Sequence, residues 1–170
     1  MSVRRRFLST AVTVLLAAGL LTPGAAAEAG PPPGPTDVVK GFLLVNIGSR
    51  NCLRVVAGTG RAVQGPCRPD ASALWRMRLA TMDGLFQIQN LRSGGCLTAS
   101  RGPAIVQFRC DDAPTRRWRL LDGAGDTFLM RSVVSGRCVT AAGAGAVVQG
   151  TCADVPSRRW HGQAEGGNRP

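Results

Sequence analysis

The chain has 170 residues, 44% of them hydrophobic and 18% charged, with 21 Lys and Arg against 10 Asp and Glu for a formal charge of +11. That length accommodates one domain of ordinary size with a buried core. The basic excess favours acidic partners over basic ones, with a plain solvated surface as the alternative, and no basic run interleaved with aromatics suggests a base-stacking nucleic-acid groove.

Residues 1–27 read as a secretory signal: basic Arg4-Arg5-Arg6, an apolar stretch from Phe7 to Leu21, the breaker Pro23, and Ala25-Ala26-Ala27 before a cleavage expected ahead of Glu28. The stretch is short for a membrane span, and no cysteine near the cleavage point invites a lipid, so export rather than anchoring is expected. Arg4-Arg5-Arg6-Phe7-Leu8 also resembles a twin-arginine export motif, with Val3 where Ser or Thr is usual. The leader carries three arginines and no acid, so the mature chain keeps 18 basic and 10 acidic residues, net +8. Export argues further against nucleic acid. Residues 28–40 contain Pro31-Pro32-Pro33-Gly34-Pro35, an extended spacer.

From 41 to 163 one pattern recurs three times: Cys52, Cys67, Trp75; Cys96, Cys110, Trp118; Cys138, Cys152, Trp160. First cysteines are 44 and 42 residues apart and tryptophans 43 and 42, a period near 42. Three repeats are expected at 41–82, 83–124 and 125–163, with a flexible tail at 164–170. In each, Phe42, Phe86 or Phe128 stands ten residues before the first cysteine, followed two later by Leu44, Ile88 or Met130. That alternation marks a half-buried strand. Further short strands are expected after the first cysteine, before the second at Val63-Gln64, Val106-Gln107 and Val148-Gln149, and around the tryptophan. No stretch has amphipathic helix spacing.

Six cysteines in an exported chain suggest disulfides with fifteen possible pairings, and three equivalent units, each stapled within itself, call for Cys52 with Cys67, Cys96 with Cys110 and Cys138 with Cys152. Zinc is the competing use, but there is no C-x-x-C and one histidine, His161. Three four-stranded units sharing inward tryptophans predict an all-β fold, a β-trefoil with pseudo-threefold symmetry and one disulfide per repeat. Three blades could not close a propeller.

The run CLTASRGPAIVQFRC followed by RRW resembles the ricin-type lectin trefoil, whose repeats carry Cys-Leu-Asp-Val, Val-Gln-Leu-Trp-x-Cys and Gln-x-Trp. The likeness covers residues 41–163 and implies carbohydrate binding. It also implies where binding depends on particular residues. The family's Asp, two residues after the first cysteine, is replaced by Arg54, Thr98 and Thr140, none an acceptor-only group. Its stacking aromatic, two before the second cysteine, corresponds to Gly65, Phe108 and Gly150. Aligning on Val106-Gln107-Phe108 instead puts Phe108 in the buried leucine's place and Arg109 in the aromatic's, so core filler and sugar platform both stay open. The Gln of Gln-x-Trp is replaced by Ala73, Arg116 and Arg158, and the residue before it is Ser72, Thr115 or Ser157. Arginines here suit phosphate, sulfate or carboxylate.

Nothing points to catalysis. His161 has no acid or nucleophile beside it in sequence, and Asp111-Asp112 are neighbours rather than an opposed pair. The expectation is a secreted, non-catalytic lectin-like protein with degenerate sugar sites and neither cofactor nor metal. Its best site is in the middle repeat at Thr98, Gln107, Phe108, Thr115 and Arg116. The partner is a carbohydrate or an anionic cell-surface or cell-wall polymer. The alternative is a non-sugar targeting subunit with an exported protein partner, since the chain also resembles the ricin-like subunits of cytolethal distending toxins.

Overall fold

The structure, a computed structural model, describes residues 41–165, all within the compact unit Val38–Pro170. The expected leader at 1–27, the spacer at 28–40 and residues 166–170 of the expected tail lie outside the described residues.

Each repeat supplies four strands. The first gives β1 (Phe42–Asn46), β2 (Cys52–Val55), β3 (Ala62–Gly65) and β4 (Leu74–Leu79). The second gives β5 (Leu85–Asn90), β6 (Cys96–Ala99), β7 (Ile105–Phe108) and β8 (Trp118–Asp122). The third gives β9 (Phe128–Ser132), β10 (Cys138–Ala141), β11 (Val147–Gly150) and β12 (Trp160–Ala164). Short 3-10 turns at Pro114–Arg116, Gly143–Gly145 and Pro156–Arg158 are the only helical segments among the described residues.

Six strands close a barrel: β1 pairs β4, β4 pairs β5, β5 pairs β8, β8 pairs β9, β9 pairs β12, and β12 returns to β1 with Phe42 opposite Ala164. The hairpins β2–β3, β6–β7 and β10–β11 cover one end and touch through single bridges, Arg61 with Val106, Val63 with Ala146 and Ala104 with Val148. Barrel plus triangular cap is the β-trefoil expected from the repeat.

The repeated residues explain the closure. Leu44, Ile88 and Met130 point inward from the first strands, Leu53, Leu97 and Val139 from the cap, and all six are fully buried with Trp75, Trp118 and Trp160 in one core. Each indole also needs an acceptor when buried. Trp75 Nε1 donates to the Leu53 carbonyl at 2.9 Å, Trp118 to Leu97 at 2.9 Å and Trp160 to Val139 at 3.0 Å. The tryptophan of each repeat thereby ties its last strand to its own hairpin. All three expected disulfides form, each joining a hairpin strand to the segment after its partner. The turn before each first cysteine needs a left-handed residue, which Gly94 and Gly136 supply at φ 68° and 65°, while Arg50 takes it at φ 60°.

The repeats are also braced across their boundaries. Asn46 and Asn90, both buried, sit opposite Trp160 and Trp75. Asn46 Nδ2 donates to the carbonyls of Ser157 and Arg159, and Asn90 Nδ2 to those of Ser72 and Leu74. Ser132 holds the matching place opposite Trp118, with too short a side chain to repeat the fork.

Candidate functional site

Pairing fixes which residues are equivalent. Gly65, Phe108 and Gly150 stand opposite Cys52, Cys96 and Cys138, so they occupy one position in the three hairpins. A guanidinium lies beside each, though it does not always come from the same element.

In the first repeat it comes from strand β2. Arg54 reaches across Gly65 and donates to the Pro66 carbonyl at 2.9 Å, Ser72 Oγ at 2.7 Å and Asp70 Oδ2 at 2.5 Å. A Cβ at Gly65 would stand 2.7 Å from Arg54 Cδ, so the bare glycine is what lets Arg54 lie there. The guanidinium, then Ser72, holds the Asp70 carboxyl at about 2, below its ordinary 3.8.

In the second and third repeats the strand residue is a threonine and the arginine arrives from the 3-10 turn before the tryptophan. Arg116 is buried, pairs with Asp111 Oδ1 at 2.8 Å and donates to Thr115 Oγ1 at 3.3 Å. Its guanidinium carbon lies 4.8 Å from the centroid of Phe108. The Ala113 amide first, then Arg116 and Arg109, lower the Asp111 pKa. In the third repeat a Cβ at Gly150 would meet Thr140 Oγ1 at 2.5 Å and Arg158 Nε at 3.5 Å. Asp154 there pairs with Arg159 at 2.6 Å. The substitution of Asp by Arg54 and of Gln by Ala73 in one repeat, and by Thr and Arg in the others, therefore places one guanidinium beside each of the three equivalent positions.

The five expected middle-repeat residues divide. Phe108, Thr115 and Arg116 form one cluster. Thr98 is buried and its hydroxyl donates to the Cys96 carbonyl at 2.9 Å. Gln107 faces the other way and donates to Ser93 Oγ. Phe108 is 54% exposed, which places its ring at the surface rather than in the core.

Beside that ring runs a groove of about 830 Å3, between the hairpin of the first repeat and strands of the second. Phe108, Arg109 and Gln107 form one wall and the loop from Val55 to Gly60 the other, with Arg78 and Arg92 also lining it. Arg78, Arg92 and the 55–60 loop were not among the residues expected to bind. Their spacing in sequence carries no periodic signal, and only the meeting of two repeats brings them together. His161, on β12 opposite Val45, is half-buried, and burial then Arg50 push its pKa down. No group of three or more His, Cys, Asp or Glu is placed to hold a metal among the described residues.

Among known families, the model of the ricin-type β-trefoil lectin domain-like family matches residues 71–155, half of the chain. The chain belongs to this ricin-type family. A ricin-type lectin domain is a carbohydrate-binding, non-catalytic module, and three disulfides suit an extracellular setting. No curated protein sequence matches the chain. Several solved structures share the ricin-type fold. The designed threefold-symmetric protein ThreeFoil is 20% identical with a TM-score of 0.66, over 72% of this chain and 96% of that one. The Haemophilus ducreyi cytolethal distending toxin is 22% identical with a TM-score of 0.65, over 76% and 86%. A Polyporus squamosus lectin, solved bound to a human-type influenza-binding epitope, is 17% identical with a TM-score of 0.64, over 74% and 49%. At these identities the likeness is one of fold.

Proposed function

We propose that the protein is a secreted, non-catalytic carbohydrate-binding protein whose three family sugar positions are degenerate, and whose contact surface is the groove beside Phe108. The observation that carries this reading is the ring itself: a phenylalanine 54% exposed on a rigid hairpin, at the edge of a cleft large enough for several sugar rings. Phe108 offers a face for the C–H side of a pyranose, and Gln107, whose amide N–H donates to Ser93 Oγ, offers its amide oxygen to hydroxyls. Arg116 backs the ring, Thr115 Oγ1 accepts a bond from Arg116, and Thr98 bonds within its own strand. Secretion is supported by the leader-like sequence at 1–27 and by the disulfides. A glycan array of the purified protein and its Phe108→Ala variant tests the reading. Binding that Phe108→Ala weakens is expected, and a blank array for the parent protein would defeat it.

A second reading has its own support. Each family sugar position holds one of the chain's own guanidiniums, as Arg54, Arg116 and Arg158, which suits a trefoil used to dock a protein rather than a sugar. On that reading the chain is the targeting subunit of an exported toxin-like complex. A blank array together with a stoichiometric complex with an exported enzyme chain encoded beside it would favour this alternative.

A further inference from the structure

The three hairpins of the cap meet at three seams, and a glutamine at equivalent positions closes two of them. Gln64 Nε2 donates to the carbonyls of Ala142 and Ala146, both at 2.8 Å. Gln149 Nε2 donates to those of Ser100 at 2.9 Å and Gly102 at 2.7 Å. Each amide thus latches the loop of a neighbouring hairpin. At the third seam Gln107 Nε2 instead donates to Ser93 Oγ within its own repeat, and among the described residues the facing loop is met by a backbone bond, Gln107 N–H to the Gly60 carbonyl at 2.6 Å, and by the Arg61–Val106 bridge. The groove lies at this seam, where no glutamine side chain crosses between the hairpins.

Its polar groups are unevenly available. Asn90 commits Oδ1 to the amides of Arg92 and Ser93 and Nδ2 to two carbonyls. Gln89 accepts from Arg76 and donates to the Gly94 carbonyl. Among the described residues, Arg78 and Arg92 are exposed and carry no carboxylate partner, while Arg109 has an 82% exposed side chain and one long ion pair to Asp111 at 3.3 Å. No residue lining the groove is acidic. The free charged groups here are therefore all guanidinium donors, with no carboxylate in the lining to neutralise them. Guanidinium forks fit carboxylate and sulfate.

We propose that the seam groove binds an anionic oligosaccharide, a uronic acid or sulfated chain, with its acid groups on Arg78, Arg92 and Arg109 and a sugar ring against Phe108. This rests on the carbohydrate-binding reading above and narrows its ligand. The site spans two repeats and lies beside, not in, the position occupied by Arg116.

Calorimetric titration of the full chain with a tetragalacturonate, a heparin-derived tetrasaccharide, a neutral galactotetraose and a pentaglutamate peptide tests it. At least one acidic glycan is expected to bind about tenfold or more tighter than the neutral one, the carboxylate and sulfate arms showing which acid is preferred. The preference should weaken with added salt. It should vanish in Arg78→Gln/Arg92→Gln and persist in Arg101→Gln/Arg137→Gln, an equal charge change outside the groove, with melting curves confirming that both variants fold. Equal binding of neutral and acidic glycans overturns this inference while the carbohydrate reading stands. A preference that survives Arg78→Gln/Arg92→Gln, or pentaglutamate binding as tightly as the acidic glycans, also overturns it. Failure of all three glycans to bind overturns this inference, and the glycan array separately decides the carbohydrate reading.

Discussion

Arg116 holds Phe108 in place: its guanidinium stacks 4.8 Å from the ring centroid while an ion pair of 2.8 Å to Asp111 fixes the guanidinium in turn. Arg116 is buried and Phe108 is half out of the protein. Their two roles are separable.

Arg116→Ala removes a buried stem, an ion pair and the cover of a ring, so it is expected to lower Tm by about 3–8 °C. Phe108→Ala removes a largely solvated ring and should lower Tm by less. Glycan binding is expected to show the reverse order, with Phe108→Ala the more damaging. Thermal melts and array binding of the same two proteins check both halves.

Asp70 gives a pH dependence. Its carboxyl is held at about 2 in the folded chain against an ordinary 3.8, first by the Arg54 bond and then by Ser72. A lowered folded value means that the contribution is complete above the unfolded value and disappears as pH falls through the folded one. The stability difference between the protein and Asp70→Asn should therefore be constant above about pH 5 and shrink between about pH 4 and 2. Asp70 is nearly half exposed, so solvent screening keeps the plateau difference below about 1 kcal/mol. Urea titrations at stepped pH measure it.

Gly65→Ala tests the same contact without touching a charge. A Cβ 2.7 Å from Arg54 Cδ forces the guanidinium away from Asp70. The expected result is a carboxyl titration at Asp70 that returns toward 3.8, read by NMR.

Trp118→Phe keeps most of the apolar volume but leaves the Leu97 carbonyl, paired at 2.9 Å, without its donor in the core. A loss of about 2–3 kcal/mol is expected, from the unpaired group and the cavity together. Equilibrium urea unfolding with an unchanged m-value confirms that the native state alone is affected.

Replacing Cys138 and Cys152 by serine together opens a loop of sequence separation 14. A loss of about 3 kcal/mol is expected from the added freedom of the unfolded chain. Reduction of the parent protein should lower Tm further, since it opens all three.

Much of the architecture was legible because it rests on local spacing repeated three times. Phe42 with Leu44, Phe86 with Ile88, and the nine Cys and Trp positions fix strands, staples and core without reference to anything distant. The cross-repeat braces were not legible, because Asn46 and Asn90 look like ordinary turn residues until the chain is folded. Phe108 stood between two alignments in sequence, and only the folded chain shows its ring at the surface. Thr98 matched a family position in sequence, yet its hydroxyl serves its own backbone.

The sequence by itself determined a trefoil, three disulfides and the family, since each depends on residue identity at fixed spacing. Tertiary structure decided where the free surface lies. Val-Gln occurs in all three repeats, and although Phe108 follows Gln107 where glycine follows Gln64 and Gln149, nothing in that difference says which amide reaches a neighbouring hairpin. Only the packing of hairpins against one another leaves the first repeat's loop without a glutamine side-chain bond from its neighbour. The same packing gathers Arg78, Arg92 and Phe108, drawn from separate elements of two repeats, around one groove.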